Sequence, residues 1–569
     1  MEPFVPTLSG AWSDHKDRYD FVIIGSGYGG SIMAARLAAA SLKNKPGICL
    51  LERGKEWKLD QFPDTLDGFI GNVRGPMPFR SGDNPLGLYD VLNATDITVI
   101  KGNGLGGTSL INANVAIIPD DSAFARAGWP KGLNRAALDK YYQRAASVLK
   151  PNPIPCLDPA HNPPCDQQPR KRLALEKRAA ALGMKAELLN IVVNFEDTTD
   201  NGFGVAQPAC TRCGDCVTGC RVGAKNTLYM NYLPLARKNG AEIYTQTEVQ
   251  WVEPAGDGSW RVHGLHRPNS GETEPFVITA DHVVLSAGSI NSTEILLRSG
   301  AHGLPIGAKV GSSFSGNGDF FAISYNGPDL LQVLGFGKHP ESPGAATPPG
   351  PTITTGLRYP GGGSPFLFED VSFPTAFVEA AQRAFPFLFG EDFGGDIEGK
   401  FKRAIKDIAQ DDPYSPDGAL NHTMLYLAMA FDNAGGHINL KTSAMDPVGR
   451  PDIKWHGAGA EPIFKTMNTE LRQHAAALSS RFIENPTWSF LGLKHLVTAH
   501  PLGGCPVGDD HTTGAVDSFG EVFASDGSRL SGLRVVDGAL IPSALAVNPL
   551  FTISAMAERI AEKVIGEIA

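Results

Sequence analysis

The sequence predicts an α/β protein in which a Rossmann-like dinucleotide-binding domain is interleaved with a domain built on an antiparallel sheet. Three observations lead to this prediction. A strand pattern near the N-terminus runs into a G-x-G-x-x-G turn and an Ala-rich helix. Residues 320–490 contain aromatic residues, Pro-Gly loops and strand-like runs. The C-terminus then returns to a strand, a turn and an amphipathic closing helix, so the first domain resumes after the second.

The first turn carries the clearest chemistry. Phe21 to Ile24 reads as a buried strand, and Gly25, Gly27 and Gly30 follow with the spacing of a dinucleotide-binding loop. The glycines allow a tight turn, a close approach of the backbone to a pyrophosphate, and close packing of helix on strand. Glu52 ends the next predicted strand, where a carboxylate can hold ribose hydroxyls. The motif predicts a dinucleotide without saying whether it is FAD or NAD.

The domains are predicted to alternate along the chain. The nucleotide domain is predicted from residues 1–60, 95–130, 205–320 and 490–569, and the substrate domain with its excursions from 61–94, 131–204 and 321–489. Helices are predicted at 135–150, 170–183 and 552–567, and strands at 48–51, 241–249, 276–285, 424–431 and 533–536.

Composition excludes several classes of function. Fifty Lys and Arg against 60 Asp and Glu give a net charge of −10, which argues against binding to nucleic acid or to an anionic membrane. The first residues show no signal peptide, and no run approaches the roughly 18 apolar residues of a transmembrane helix. A cytoplasmic protein is expected, with export alongside a partner subunit left open.

A second Gly-rich loop occupies residues 99–114 and contains Gly102, Gly106, Gly107 and Asn112. Such a loop can bring backbone N–H groups close to another part of the cofactor.

Four of the eight cysteines form the run C-x2-C-x2-C-x3-C: Cys210, Cys213, Cys216 and Cys220. This is the spacing with which bacterial ferredoxins hold iron–sulfur clusters, although Arg221 stands where those proteins have Pro. The spacing favours a cluster. The alternatives are a structural zinc site, disulfides or free thiols. Cys156 and Cys165, in a Pro-rich loop, could form a disulfide or be inert thiols, and a reducing compartment favours inert thiols.

Together these motifs resemble the glucose-methanol-choline (GMC) oxidoreductases, a family that binds FAD. The resemblance rests on G-S-G-Y-G-G (25–30), L-E-R-G (51–54), G-N-G-L-G-G-T-S-L-I-N (102–112), S-A-G-S-I-N-S-T-E-I-L (286–296), A-H-P-L-G-G-C (499–505) and V-V-D-G-A-L-I-P (535–542). The order and spacing match along most of the chain, and the last motifs look most like the cholesterol-oxidase-like branch. The cysteine run also resembles the catalytic subunit of bacterial FAD-dependent glucose dehydrogenases.

The resemblance implies roles for individual residues. Gly25, Gly27, Gly30 and Glu52 would hold the ADP half of FAD, Gly102, Gly106, Gly107 and Asn112 would line the flavin, Val249 would contact the adenine, and Asp537 and Gly538 would meet the ribityl–pyrophosphate. Some members of the family attach FAD covalently through a His that lies between the first β-α-β unit and the end of the second Gly-rich loop. Residues 60–115 contain no His, so FAD is expected to be non-covalent.

The resemblance also implies a catalytic pair, His500 and Asn548. Hydride leaves an alcohol readily only if the hydroxyl proton leaves too, and an imidazole with an ordinary pKa near 6.5 suits that task at neutral pH. An amide can orient the oxygen but cannot take its proton, so His500 is predicted to be the base and Asn548 the positioning residue. The cholesterol-oxidase-like branch uses a further Glu, for which Glu369 and Glu379 are the candidates; the alternative for each is a surface carboxylate.

The sequence therefore predicts oxidation of an alcohol, expected to be bulky and sterol-like, to a carbonyl. Electrons would pass through an iron–sulfur cluster to an external acceptor, which could be a protein, a quinone or oxygen, with an accessory subunit possible. The alternatives are an iron–sulfur sugar dehydrogenase, an oxygen-using oxidase with a structural Cys loop, and an electron-transfer subunit without substrate chemistry of its own.

Overall fold

The computed structural model describes residues 6–75, 83–155, 169–268, 272–337, 348–360, 364–409, 412–443, 446–489 and 492–569. Cys156 and Cys165 lie outside them. The helices are α1 (Tyr28–Ala39), α2 (Leu66–Gly71), α3 (Asp121–Phe124), α4 (Arg135–Leu149), α5 (Arg172–Ala181), α6 (Tyr232–Lys238), α7 (Gly288–Ala301), α8 (Thr375–Ala384), α9 (Ile397–Ala409), α10 (Pro462–Ala477), α11 (Pro486–Ser489) and α12 (Leu550–Ile568).

The strands are β1 (Arg18–Ile24), β2 (Ile48–Leu51), β3 (Val73–Arg74), β4 (Tyr89–Asn93), β5 (Ile97–Gly102), β6 (Glu187–Leu188), β7 (Glu242–Tyr244), β8 (Thr247–Pro254), β9 (Trp260–His266), β10 (Glu274–Leu285), β11 (Phe320–Tyr325), β12 (Thr355–Tyr359), β13 (Phe366–Val371), β14 (Glu391–Asp392), β15 (Met424–Ala430), β16 (His437–Ser443), β17 (Asp446–Lys454), β18 (Arg481–Ile483), β19 (Leu496–Thr498), β20 (Glu521–Phe523) and β21 (Arg529–Val535).

The first sheet has the order β20-β21-β10-β1-β2-β7, and all of these neighbours except β20–β21 are parallel. Ile23 of β1 lies beside Val284 of β10 on one side and Leu50 of β2 on the other. Continuous apolar runs suit a parallel strand because helices cover both faces. The first half of β10 also pairs with β9, which in turn pairs with β8.

The second sheet is antiparallel throughout and has the order β14-β18-β11-β15-β13-β12-β6. Its two faces enter different cores. On β13, Leu367 packs in the core that it shares with the first sheet, whereas Phe366 and Phe368 pack with α5 and α10 in the other. This alternation follows from the two-residue period of a strand.

The predicted fold class is confirmed: a parallel α/β unit is combined with an antiparallel sheet. The predicted helices and strands are found, with the 241–249 strand divided into β7 and β8. The exact domain boundaries stay a prediction. Within the described residues, no helix is long and apolar enough to cross a bilayer.

Candidate functional site

A cavity lies where the carboxyl ends of the parallel strands meet the two Gly-rich loops and the C-terminal motifs. Sites of this kind are common at the carboxyl edge of open α/β sheets. The predicted residues that line it are Gly25, Gly27, Glu52, Gly102, Gly107, Asn112, Val249, His500, Asp537, Gly538 and Asn548. Two predicted residues, Gly30 and Gly106, are not among its lining. These two glycines belong to the first and second Gly-rich loops but do not face the cavity.

The first loop is built by glycines whose missing Cβ atoms matter for different reasons. A Cβ on Gly29 would lie 1.5 Å from the carbonyl oxygen of Val536, and one on Gly30 would lie 1.9 Å from the carbonyl oxygen of Gly25. A Cβ on Gly27 would meet nothing within 4 Å. Gly29 and Gly30 are therefore required for packing. Gly27 leaves open space at the start of α1, where the helix dipole favours phosphate.

Glu52 points into the same loop. Its Oε2 accepts hydrogen bonds from the Ser26 backbone N–H (3.1 Å) and hydroxyl (2.5 Å), and its Oε1 accepts one from the Gly54 N–H (2.8 Å). The carboxylate is thus fixed at the cavity wall, in the position from which the motif predicts it to hold ribose hydroxyls.

The second loop follows β5 and is anchored by a buried cation. Lys225 Nζ donates to the carbonyls of Leu110 (3.2 Å), Asn112 (2.6 Å) and Cys216 (3.1 Å). Burial lowers the pKa of Lys225 to about 8. This side chain therefore connects the second Gly-rich loop (residues 99–114, the predicted flavin loop) to the cysteine run.

Several polar atoms of the cavity wall are buried and lack a hydrogen-bond partner within the described part of the chain: Asn112 Oδ1, Asn114 Oδ1 and Nδ2, and Asn548 Oδ1. Buried polar atoms are normally paired, so unpaired atoms at one cavity indicate groups that await a ligand. Together with the open space at Gly27, they fit a bound dinucleotide.

Asp537 has a structural role that its motif did not reveal. Its carboxylate accepts hydrogen bonds from the Gly288 N–H (2.9 Å), the Ser292 hydroxyl (2.5 Å) and the Ala539 N–H (2.8 Å). These bonds hold the start of α7 against the cavity. Burial raises the pKa of Asp537 to about 6.

Two of the catalytic candidates, His500 and Asn548, line the cavity, and a third, Glu369, contacts Asn548. Glu369 is fully buried on β13, and its Oε2 accepts a hydrogen bond from Asn548 Nδ2 (3.3 Å), whereas its Oε1 has no partner among the described residues. Burial raises the pKa of Glu369 to about 8. At neutral pH this carboxyl is therefore mostly protonated and can donate a hydrogen bond.

His500 lines the cavity beside this pair. Its Nδ1 lies 2.8 Å and 3.0 Å from the two carboxylate oxygens of Asp319. Burial lowers the pKa of His500, but Asp319 and Glu369 outweigh burial and leave it above 6.5. The sequence reasoning missed Asp319, which lies 181 positions from His500, so no local spacing could have paired them.

Two family models, both described as GMC oxidoreductase, match residues 19–313 and 433–557. The chain belongs to the GMC oxidoreductases. A cholesterol oxidase of Mycobacterium tuberculosis (strain ATCC 25618 / H37Rv) is 28% identical over 96% of this chain and 91% of its own length. A cholesterol oxidase of Acinetobacter baumannii is 25% identical over 95% and 93%, and a long-chain-alcohol oxidase of Arabidopsis thaliana is 24% identical over 97% and 68%.

Solved structures of this fold are more distant in sequence. A formate oxidase of Aspergillus oryzae superposes with a TM-score of 0.60 at 15% identity, covering 97% of this chain and 99% of that one. A fungal aryl-alcohol oxidase gives a TM-score of 0.55 at 14% identity, covering 97% and 100%. The GMC family implies FAD, and the cavity described above fits it. The protein is an FAD-dependent oxidoreductase.

The predicted iron–sulfur site in the cysteine run of this GMC protein is not confirmed. In the described part of the chain, no group of three or more His, Cys, Asp or Glu side chains is placed to hold a metal ion. All four cysteines of the run are free, so they form no disulfide either. Burial, reinforced by neighbouring thiols, raises the pKa of Cys210, Cys213 and Cys220. The residues as placed do not fit a cluster, so no electron-transfer step is derived through them.

The loop that carries the cysteines is instead held by other groups. Asp215 accepts hydrogen bonds from the Thr375 N–H (2.7 Å) and hydroxyl (2.7 Å), and the Cys216 N–H donates to Thr352 Oγ1 (3.1 Å). These bonds fix the loop to the start of α8 and to the segment before β12, while Lys225 fixes it to the flavin loop.

Of the two Glu candidates, the structure supports one. Neither Glu lines the cavity, but Glu369 is buried and hydrogen-bonded to Asn548, whereas Glu379 is exposed on α8, which agrees with the surface alternative for that residue. Its side chain projects away because α8 buries Ala376, Val378 and Ala381 instead.

Proposed function

We propose that this enzyme oxidises a bulky apolar alcohol to a carbonyl, with His500 as the base. The observation that carries the proposal is that His500 and Asn548 both line the FAD cavity, while Glu369, on an apolar face of the antiparallel sheet, is hydrogen-bonded to Asn548. FAD, when bound, accepts the hydride from the alcohol carbon. The protein groups around it manage the proton and the position of the oxygen.

His500 would take the hydroxyl proton at Nε2. Its Nδ1 is occupied by Asp319, and no described group is hydrogen-bonded to Nε2, so that nitrogen is available to a substrate in the cavity. Asn548 would orient the substrate oxygen through its amide. Glu369, neutral at pH 7, would donate a hydrogen bond without placing a negative charge beside the oxygen that loses its proton.

The residues around Glu369 favour an apolar substrate. Leu367 and Val371 lie two positions away on β13 and so share its face, and Leu427 of β15 lies directly opposite. Phe321 of β11 pairs with Leu427 in turn. A sugar site would need carboxylates and amides at such positions, because each substrate hydroxyl that loses water needs a partner.

The substrate names of the relatives point the same way. Two of them are named for cholesterol and one for long-chain alcohols, all apolar alcohols. At 24–28% identity these names support the class of substrate and not its identity.

A panel of alcohols tests this proposal. The FAD-loaded enzyme would be mixed under nitrogen with a sterol, a long-chain primary alcohol, an aryl alcohol, glucose and glycerol, and the flavin absorbance near 450 nm followed. Bleaching by the apolar alcohols and not by the polyols is expected. Bleaching by glucose alone would establish the sugar-dehydrogenase alternative, and no bleaching by any alcohol would favour an electron-transfer subunit.

For the acceptor, we infer that electrons leave the flavin directly to an external acceptor. The four cysteines are free and form no group placed to hold a metal ion in the described part of the chain, which favours a structural loop; the named relatives are oxidases, so oxygen is the first candidate. The iron–sulfur route, with a partner protein or quinone as acceptor, stays a prediction. Iron and sulfide analysis of anaerobically purified protein tests it.

A further inference from the structure

We propose that Asp319 is a positioning residue for His500. It would hold the imidazole with a proton on Nδ1, which leaves Nε2 as the nitrogen that takes the substrate proton. This inference rests on the proposed function, because it assigns a partner to the same base. None of the sequence motifs contains Asp319.

The carboxylate of Asp319 is fixed at several points. It immediately precedes β11 and is 3% exposed. Its Oδ2 accepts hydrogen bonds from the Thr498 hydroxyl (2.9 Å) and from the Ala499 N–H (2.9 Å), and the Thr498 hydroxyl also accepts one from the His500 N–H (2.9 Å). The segment that carries His500 is therefore tied to the carboxylate by main chain and side chain together, so the carboxylate cannot turn away from the ring.

The direction of the hydrogen bond to His500 follows from this arrangement. An ionised carboxylate has only acceptor sites, so the Nδ1 that lies 2.8 Å from Oδ1 must be the donor. The neutral ring then carries its one proton on Nδ1 and its lone pair on Nε2. The opposite tautomer would set two acceptors against each other in a buried site.

The charges around the ring support the same role. The two titratable groups whose charge acts on His500 are Asp319 and Glu369. Because Glu369 is mostly neutral at pH 7, Asp319 is the negative charge that stabilises the imidazolium formed when His500 takes a proton.

Asp319→Asn tests the proposal because the surrounding donors dictate how the amide sits. The Ala499 N–H requires an acceptor, whereas the Thr498 hydroxyl can also donate to the Gly316 carbonyl (3.0 Å). The amide oxygen would therefore face the Ala499 N–H, and the NH₂ group would face Nδ1. Nδ1 would then accept, and the ring proton would move to Nε2. Anaerobic flavin reduction by the best alcohol is expected to slow by about 10²- to 10⁴-fold, with FAD content unchanged.

Asp432→Asn is the matched control. Asp432 is another buried carboxylate, which follows β15 and binds the turn that carries Asp319: it accepts from the Ser315 hydroxyl (2.7 Å) and the Gly318 N–H (2.9 Å) and makes no contact with His500 among the described hydrogen bonds. A merely structural effect would lower thermal stability in both variants. Only Asp319→Asn should change the pH at which flavin reduction rises, which is expected to move to lower pH because the stabilising charge is gone.

The tautomer can also be measured without turnover. In ¹⁵N-histidine-labelled holoenzyme, with the His500 signals identified by His500→Gln, wild type at high pH should show a protonated Nδ1 and an unprotonated Nε2. Wild type with the proton on Nε2 would overturn the proposal even if Asp319→Asn failed to fold. So would an Asp319→Asn enzyme with a wild-type rate and pH profile. If no alcohol reduces the wild-type flavin, the proposed function fails, and the tautomer still decides the role of Asp319.

Discussion

The FAD cavity and the cysteine run were both predicted from spaced motifs, and the two predictions have different outcomes in the structure. In the cavity, loops from distant parts of the chain bring their predicted residues to one wall and leave unpaired polar atoms there. In the cysteine run, four residues within eleven positions do not assemble a metal site.

The difference lies in what each motif constrains. A glycine motif constrains the backbone, since a Cβ on Gly29 or Gly30 would collide with main-chain oxygens. A cysteine spacing brings the thiols close together along the chain, but it does not fix the direction of each thiol. That direction depends on the hydrogen bonds that hold the loop. Here hydrogen bonds of Asp215 and Lys225 anchor the loop.

The largest effect is expected where the cavity motif is broken. Gly29→Ala would put a Cβ 1.5 Å from the Val536 oxygen, so a loss of more than about 4 kcal/mol of stability and little folded protein are expected. Gly27→Ala is the matched variant, because its backbone (φ −67°, ψ −169°) suits alanine and its Cβ would meet no protein atom. It should fold but bind FAD at least about tenfold more weakly, equal to about 1.4 kcal/mol.

Thermal melts and FAD titration of the two apoproteins measure this contrast. A folded Gly29→Ala variant, or a Gly27→Ala variant with wild-type FAD affinity, would show that the first loop does not constrain the backbone and the cofactor as described.

The second prediction concerns the pH dependence inside the cavity. The rate of flavin reduction should rise as His500 loses its proton, above pH 6.5 because its pKa is raised, and should fall above about pH 8 as Glu369 ionises beside the substrate oxygen. Glu369→Gln cannot ionise, so the fall near pH 8 should disappear.

Glu379→Gln, on the exposed face of α8, provides the control. Its rate of flavin reduction should keep both the rise at low pH and the fall at high pH. If the rate of flavin reduction still fell near pH 8 in Glu369→Gln, that fall would have to come from a group other than Glu369.

The smallest effect is expected at the cysteine run. Cys213→Ser and Cys220→Ser should change flavin reduction by less than about twofold and stability by about 1–2 kcal/mol, since each removes only a buried thiol. Iron below about one-tenth of an atom per chain is expected in the wild type, far under the three or four irons of a cluster. A brown protein whose colour is lost in both variants would instead establish the iron–sulfur route.

The features that could be predicted from the sequence are those set by the local backbone, and the features that could not are those set by contacts between distant segments. The turn at Gly25 to Gly30, the flavin loop and His500 depend on local backbone requirements, and the structure places them at one cavity. The catalytic partners depend on pairing across the fold. Glu369 and Asp370 are neighbours, yet Glu369 reaches Asn548 and Asp370 accepts from Thr354 on the opposite face of β13. Only the strand register, which sequence reasoning could not fix, distinguishes them.

The central claim is that His500 takes the substrate proton as the flavin is reduced. The direct measurement is anaerobic rapid mixing of wild type and His500→Gln with the most reactive apolar alcohol, each protein matched for FAD content. The account predicts that the variant binds FAD normally and that its flavin is reduced about 10²- to 10⁴-fold more slowly. Reduction of the His500→Gln flavin within fivefold of the wild-type rate would contradict it.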